Sequence, residues 1–299
     1  MNRMQSAADA RTAAMLQAMP WVFVGIWSTG FVVARLGMPH AGPFGFLTWR
    51  FGLSVLAFVL WVALSGARWP QGGAQWRHLA VTGALLHAGY LGGVWAAVKA
   101  GLGAGMAALL VGLQPLLTAM WVAYSGQETR LVWRQWAGVA LGLAGVLLVV
   151  GHKLGHGEVN AANAAMAIAA LLSITAGTLY QKRFVAPCDV RTANAVQLGT
   201  SFLLCLPLAL WVESEPLRWH PELIVAMAWS VLGLTLGGSS LLYLLIQRGA
   251  ATRVSSLMYL VPPCTAVLAW AMFNEALGPG VAAGFACAAA GVGLVMRSR

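Results

Sequence analysis

The segment Met106–Glu128, MAALLVGLQPLLTAMWVAYSGQE, returns as Arg253–Glu275, RVSSLMYLVPPCTAVLAWAMFNE. A constant shift of 147 residues brings Leu110 onto Leu257, Pro115 onto Pro262, Thr118 onto Thr265, Ala119 onto Ala266 and Glu128 onto Glu275. Each copy is an apolar run of helical length with a proline in its middle and one acid at its end. A match at fixed period defines a doubled architecture before any single helix is assigned. The same shift carries Gly30 onto Gly177, Arg35 onto Lys182 and Arg50 onto Gln197; after a one-residue gap, Gly138 meets Gly284 and Gly145 meets Gly291.

The 299 residues are 60% hydrophobic and 9% charged, with a mean hydropathy of +0.76. Soluble domains carry roughly 25% charged residues, so this chain cannot cover a globular surface with polar groups, and bilayer lipid must surround it. The net charge of +10 does not signal nucleic acid, because the 18 basic residues fall almost entirely between apolar runs. Cys188, Cys205, Cys264 and Cys287 show no metal-like or paired spacing and read as packing residues. The start, MNRMQSAADARTAAMLQAMP, is polar and lacks a small-residue cleavage site, so no cleaved signal peptide is expected.

A membrane span needs about 20 mostly apolar residues. Ten runs qualify, at about 19–38, 43–64, 78–98, 104–126, 133–151, 161–181, 192–212, 222–246, 252–273 and 279–296, the sixth being the least apolar. Pro20, Pro70, Pro187, Pro216 and Pro221 are expected to punctuate their ends. With the N-terminus inside, 13 Lys and Arg residues lie on inner segments and 4 (Arg35, Lys99, Lys153 and Arg218) on outer connections, while Arg50 lies within the second run. That bias predicts ten spans with both termini cytoplasmic; the expected location is a bacterial inner membrane. Five spans per unit is an odd number, so the second unit must enter the bilayer from the opposite side. The expected fold is an all-α integral membrane protein of two inverted five-helix repeats, 19–151 and 161–296. Such repeats are a hallmark of secondary transporters, whose substrate sits near the midplane between them.

Several pieces carry a family resemblance. They are Trp27-Ser28, Trp49-Arg50-Phe51, Leu113-Gln114-Pro115 through to Glu128, and Trp136 to Gly138, with Leu260-Val261-Pro262 to Glu275 in the second copy. Together they resemble the EamA domain of the drug/metabolite transporter superfamily, over nearly the whole chain. The resemblance implies a single-chain transporter of small metabolites, with a layout similar to bacterial exporters of amino acids, including aromatic ones. The second copy departs at Gln197, which stands where the first has Arg50, and at Pro263, an added proline.

Polar groups inside spans are costly and default to functional roles. Gln114, Thr118 and Trp121 share one helical face, at i, i+4 and i+7; Ser256 and Tyr259 stand in the counterpart run. His87, Tyr90 and Trp95 in the third run, Ser240 and Tyr243 in the eighth, Trp27 and Ser28 in the first, and Ser173 and Tyr180 in the sixth complete the candidate substrate lining. Interhelical packing is the competing role for the hydroxyls, and a satisfied donor the competing role for His87. Pro115, Pro262 and Pro263 are candidate hinges, or static bends. Gly138, Gly142, Gly280 and Gly284 give small-residue spacing for close packing of the fifth and tenth runs, either on each other or on a second subunit, which leaves monomer and homodimer both open.

None of the eight acids lies at the centre of a span. A carrier of lipophilic cations needs a buried counter-charge, so a neutral or zwitterionic substrate is favoured. Arg50 and Lys99 read as snorkelling or pairing at the interface, with recognition of a substrate anion as the alternative. No HExxH, CxxC, GxSxG or P-loop is present, so no enzyme, metal or cofactor is expected. The leading expectation is an alternating-access exporter of small metabolites such as amino acids. A carrier of phosphorylated or nucleotide-linked metabolites is the runner-up, and a non-transporting scaffold or intramembrane enzyme the alternative of another class.

Overall fold

The computed structural model describes the backbone of residues 2–125, 132–154, 158–241 and 258–297, with side chains over 18–125, 132–151, 158–241, 258 and 260–295. Ten helices follow one another in these residues: α1 (Asn2–Gly37), α2 (Pro43–Ser65), α3 (Gly73–Lys99), α4 (Ala104–Tyr124), α5 (Trp133–Leu154), α6 (Ala161–Phe184), α7 (Val190–Trp211), α8 (Pro221–Leu241), α9 (Val261–Phe273) and α10 (Pro279–Arg297). The first eight are long and apolar enough to cross a membrane, while α9 and the apolar part of α10 are shorter. The expected ninth run begins at 252, and its first residues lie outside those described.

Local chemistry sets the boundaries. Pro43 and Pro221 occupy the first turns of α2 and α8, where the missing amide costs nothing. Asn160 and Asn163 form a reciprocal capping box at the start of α6, each bond 2.9 Å. Gly66 (φ 63°) ends α2 and Asn274 (φ 53°) ends α9, both in the left-handed conformation suited to a C-terminal cap. Pro20 does not end a helix, contrary to expectation: α1 runs through it. A proline deletes one backbone bond and strains one turn, and a helix of 36 residues bridges that defect.

The helices alternate in direction. Glu213, after α7, accepts from the amides of Phe44 (2.7 Å) and Gly45 (2.8 Å) at the start of α2. Glu275, after α9, accepts from Ala104 (2.8 Å) and Gly105 (3.3 Å) at the start of α4. Asn163 at the start of α6 donates to the Ala100 carbonyl, and Lys99 at the end of α3 to that of Met38. These contacts gather the connections after odd-numbered helices on one face. On the other face Gln75 donates to the Ala186 carbonyl (2.8 Å) and Thr192 to that of Arg68 (3.2 Å). Helices α1 and α6 therefore run in opposite directions, and the second repeat is inverted relative to the first.

Packing follows the same pseudo-twofold. Helix α2 packs on α7, α4 on α9 and α5 on α10, each against its own repeat mate, while α3–α6 and α1–α8 exchange roles. Helices α5 and α10 meet each other, the first of the two expectations for their glycines. A Cβ on Gly138 would stand 2.7 Å from the Gly291 carbonyl oxygen, and one on Gly145 would stand 2.5 Å from that of Gly284. Only backbone fits there. Gly142 instead faces Leu116, and Gly280 faces open space.

The stretch that defined the repeat is broken rather than bent. Helix α4 stops at Val111, turns through Gly112–Leu113 and restarts at Gln114, with Pro115 in its first turn. In the second repeat the 3₁₀ turn Met258–Leu260 precedes Val261, with Pro262 in the first turn. The two breaks are repeat mates and they touch: a Cβ on Gly112 would lie 2.6 Å from Pro262 Cγ. The third helix of each repeat also carries a π-helical stretch, Ala84–Gly89 in α3 and Trp229–Gly238 in α8. Such stretches concentrate at functional sites.

Candidate functional site

A cavity of about 340 Å³ lies between α1, α2, α3, α4, α6, α7 and α8, within the size range of small-ligand sites. Its apolar walls come largely from the first repeat. Trp27, Phe31, Phe51 and Trp95 contribute rings, and Trp95 stacks on Phe46 at 4.3 Å on the side of Lys99 and the odd-connection face. The polar groups are Arg50, His87, Tyr90, Gln114, Thr178, Thr235 and Ser239.

Arg50 is the electrostatic centre. Its residue is 7% exposed, its Nη2 donates to Thr235 Oγ1 at 3.3 Å, and its Nε has no partner. Thr235 can accept because its own hydroxyl donates back five residues to the Ser230 carbonyl (2.8 Å), a spacing the π turn of α8 provides. Neither snorkelling nor interfacial pairing, the expectation for Arg50, describes this geometry. Its position on the face of α2 packed toward α7 and α8 turns the guanidinium inward, where no carboxylate is present among the described lining residues. Lys99 does pair at the interface, with Glu215 (2.5 Å) and the Met38 carbonyl (3.1 Å). That pairing holds the exposed Glu215 carboxyl below its ordinary range.

Across the pseudo-axis, Gln197 is buried, its backbone against Gly83 and its side chain near His87 in the π stretch of α3. Arg50 and its repeat mate Gln197 thus each reach the π stretch of the opposite repeat. Gln114, at the break in α4, donates to Thr178 Oγ1 at 2.9 Å.

Of the residues singled out in the sequence, Trp27, His87, Tyr90, Trp95 and Gln114 converge on this cavity. Ser28 lies elsewhere: its hydroxyl donates to the Val24 carbonyl (2.8 Å), and its own carbonyl accepts from Thr265 (2.9 Å), joining α1 to α9. Ser173 donates to the Leu85 carbonyl (2.8 Å) within the π stretch, and Ser240 donates to that of Leu236 (2.6 Å). Trp121 and Tyr180 line a separate cleft of about 1280 Å³ between α4, α5 and α6, where Tyr180 bonds His78 (2.8 Å). Thr118 is half-buried and lines neither. Tyr243, Ser256 and the Tyr259 side chain lie outside the described residues. Pro115 and Pro262 sit at the two helix breaks, with Pro263 one residue further on. Sequence reading gave Arg50 an anion-binding role only as the alternative and did not single out Phe51 or Thr235 as lining. The retrievable signal was that Arg50 and Gln197 are polar at the same place in both repeats.

Ten alternating membrane helices in two inverted repeats, with broken helices and a polar cavity between them, define an integral membrane carrier. The chain belongs to the EamA-like transporter family, which matches residues 16–151 and 162–297. It is 27% identical over 263 residues to an uncharacterized transporter of Archaeoglobus fulgidus, covering 84% of this chain and 86% of that one. It is 23% identical over 263 residues, 85% of each chain, to a probable amino-acid metabolite efflux pump of Salmonella typhimurium. A solved crystal structure shares the fold at a TM-score of 0.65 and 19% identity, covering 94% of this chain and 97% of that one.

Proposed function

We propose that this transporter exports small zwitterionic metabolites, amino acids with apolar or aromatic side chains among them, by alternating access across the inner membrane. Its termini are cytoplasmic, the odd-connection face is outer, and 19–151 and 161–296 are the moving repeats. The observation that carries this reading is Arg50, a buried guanidinium with an unpartnered Nε in a cavity that has no acid among its described lining residues. A substrate carboxylate supplies the missing counter-charge. The rings of Trp27, Phe51 and Trp95 face its side chain, and Gln114, Thr178 and Tyr90 offer acceptors for an ammonium group.

The cavity disfavours phosphorylated metabolites. A dianion needs more than one cation, and Lys99 is already held by Glu215. The test is uptake of a panel of radiolabelled amino acids and sugar phosphates into proteoliposomes, with and without a pH gradient. Gln114→Ala and Tyr90→Phe are expected to lower the amino-acid flux. Unchanged flux in both, or sugar-phosphate flux exceeding amino-acid flux, defeats the proposal.

A further inference from the structure

A second cluster of ligating groups lies away from the cavity, on the odd-connection face. His40 Nε2 stands 2.7 Å from Glu222 Oε2, and His220 Nδ1 stands 3.8 Å from the same oxygen. One ligand atom from each of the three residues falls within 4.8 Å of the others. The two imidazoles are stacked, 4.5 Å between centroids and 10° from parallel. His220 Nδ1 also accepts the Glu222 amide at 3.4 Å, a long N-terminal cap that a metal ion at this nitrogen would displace.

The elements holding these groups are fixed. The α1–α2 connection is pinned where the Arg218 amide donates to the His40 carbonyl (2.9 Å) and the His40 amide to that of Gly37 (3.1 Å). His220 and Glu222 flank Pro221 in the first turn of α8. Two imidazole nitrogens and a carboxylate oxygen are a zinc-type donor set, with bonds of about 2.0–2.2 Å. Tetrahedral geometry at that radius separates ligand atoms by roughly 3.3 Å, a spacing that 2.7 and 3.8 Å bracket. Side-chain exposures of 53% and 52% for His220 and Glu222 leave an approach from water.

We propose that His40, His220 and Glu222 bind a divalent transition cation of the zinc class, which clamps the first repeat to the second at this face and slows transport. The site joins the α1–α2 connection to α8, beside the Lys99–Glu215 pair and the Glu213 carboxylate on the start of α2, so the cation adds a further tie between repeats at this face. The clamping step rests on the transporter reading given above; the binding step does not.

Trp219 adjoins His220 and packs edge-on against Trp49 at 5.6 Å, so quenching by Cu²⁺ or Ni²⁺ reports occupancy. The experiment is titration of tag-free protein in detergent with Ni²⁺ by tryptophan fluorescence, and with Zn²⁺ by competition against a chromogenic chelator. One site per chain is expected, weakened at least roughly tenfold by His40→Gln, His220→Gln or Glu222→Gln, a scale that even outer-shell changes reach. His78→Gln, near the start of α3 on the opposite face, and Mg²⁺ are the controls that should do nothing. Absence of Zn²⁺ binding, or binding unchanged in all three variants, overturns the site. Unchanged melting curves without metal establish that the variants are folded; if one is not, the other two decide. In proteoliposomes, Zn²⁺ on the odd-connection side should inhibit the wild type and spare the variants. Binding without inhibition overturns the clamp alone.

Discussion

Replacing Arg50 by glutamine, the residue the second repeat carries at the same place, separates recognition from folding. A carboxylate about 4 Å from the guanidinium, at an effective dielectric near 20, is held by about 4 kcal/mol before its own desolvation. Truncations of buried charge pairs cost about 2–5 kcal/mol, or roughly 30- to 4000-fold in affinity. The lower half of that range is taken here, because the substrate carboxylate must itself be desolvated on entering the cavity. Stability should respond in the opposite sense. An unpaired buried cation is a burden of several kcal/mol, and glutamine, already buried at Gln197, removes the charge while keeping a similar volume. The assay pairs counterflow of a radiolabelled amino acid in proteoliposomes with thermal melting in detergent. The expected outcome is an affinity loss of about 30-fold or more with an unchanged or raised melting temperature, and a collapse of the preference for the amino acid over its amide. If Arg50→Gln transports within about threefold of wild type, or if acid and amide lose affinity together, the carboxylate is not bound at Arg50.

Gly145→Leu drives a side chain into the Gly284 carbonyl and should cost about 1–3 kcal/mol or more of stability; melting temperature reads it, with Gly280→Leu, which meets open space, as the control. Glu275→Gln weakens the charged cap on Ala104 and Gly105 by about 1–2 kcal/mol, seen as faster hydrogen exchange at the start of α4. Glu215 is held below its usual 4.5, first by the hydrogen bond from Lys99, so its contribution is present above pH 4.5 and is lost as pH falls through the lowered value. Melting curves should show an acid-sensitive component that Glu215→Gln lacks, and parallel acid loss in both proteins would exclude Lys99 as its source.

The frame was legible because it depends on quantities a sequence carries directly: apolar length, the sidedness of basic residues and a constant shift of 147. What eluded it depends on rotation about a helix axis. Arg50 is the eighth residue of α2, about 10 Å of rise from its start, a depth from which a long side chain can reach either the interface or the core. Only the packing of α2 on α7 decides between them. Ser28 and Ser173 were misplaced for the same reason, since a hydroxyl on a helix can turn to its own carbonyl or to a neighbour's. The helix breaks went unseen because a proline in an apolar run is compatible with a kink. Gly112 lies against Pro262 at the break, a contact between repeats that spacing along the chain does not reveal.

The repeat explains why the cavity lies where it does, and its imperfections explain what the cavity can recognise. Several lining residues are mates at the shift of 147: Trp27 with Ile174, Phe31 with Thr178, Phe51 with Leu198, and His87 with Leu234. Mates meet around one space because it straddles the pseudo-twofold that relates the repeats. A cavity with true twofold chemistry would bind a substrate equally in two opposed orientations. Every one of these pairs is chemically unlike, and so is Arg50 with Gln197. Among the described lining residues the guanidinium, the imidazole and all the aromatic rings come from the first repeat; the second supplies aliphatic side chains and hydroxyls. A polar-headed molecule therefore meets one orientation in which its anion reaches Arg50, and the reverse orientation sets that anion against Ile174 and Leu198. On the alternating-access mechanism proposed above, the backbone symmetry supplies two equivalent ways to open, and the broken side-chain symmetry fixes which end of the cargo leads.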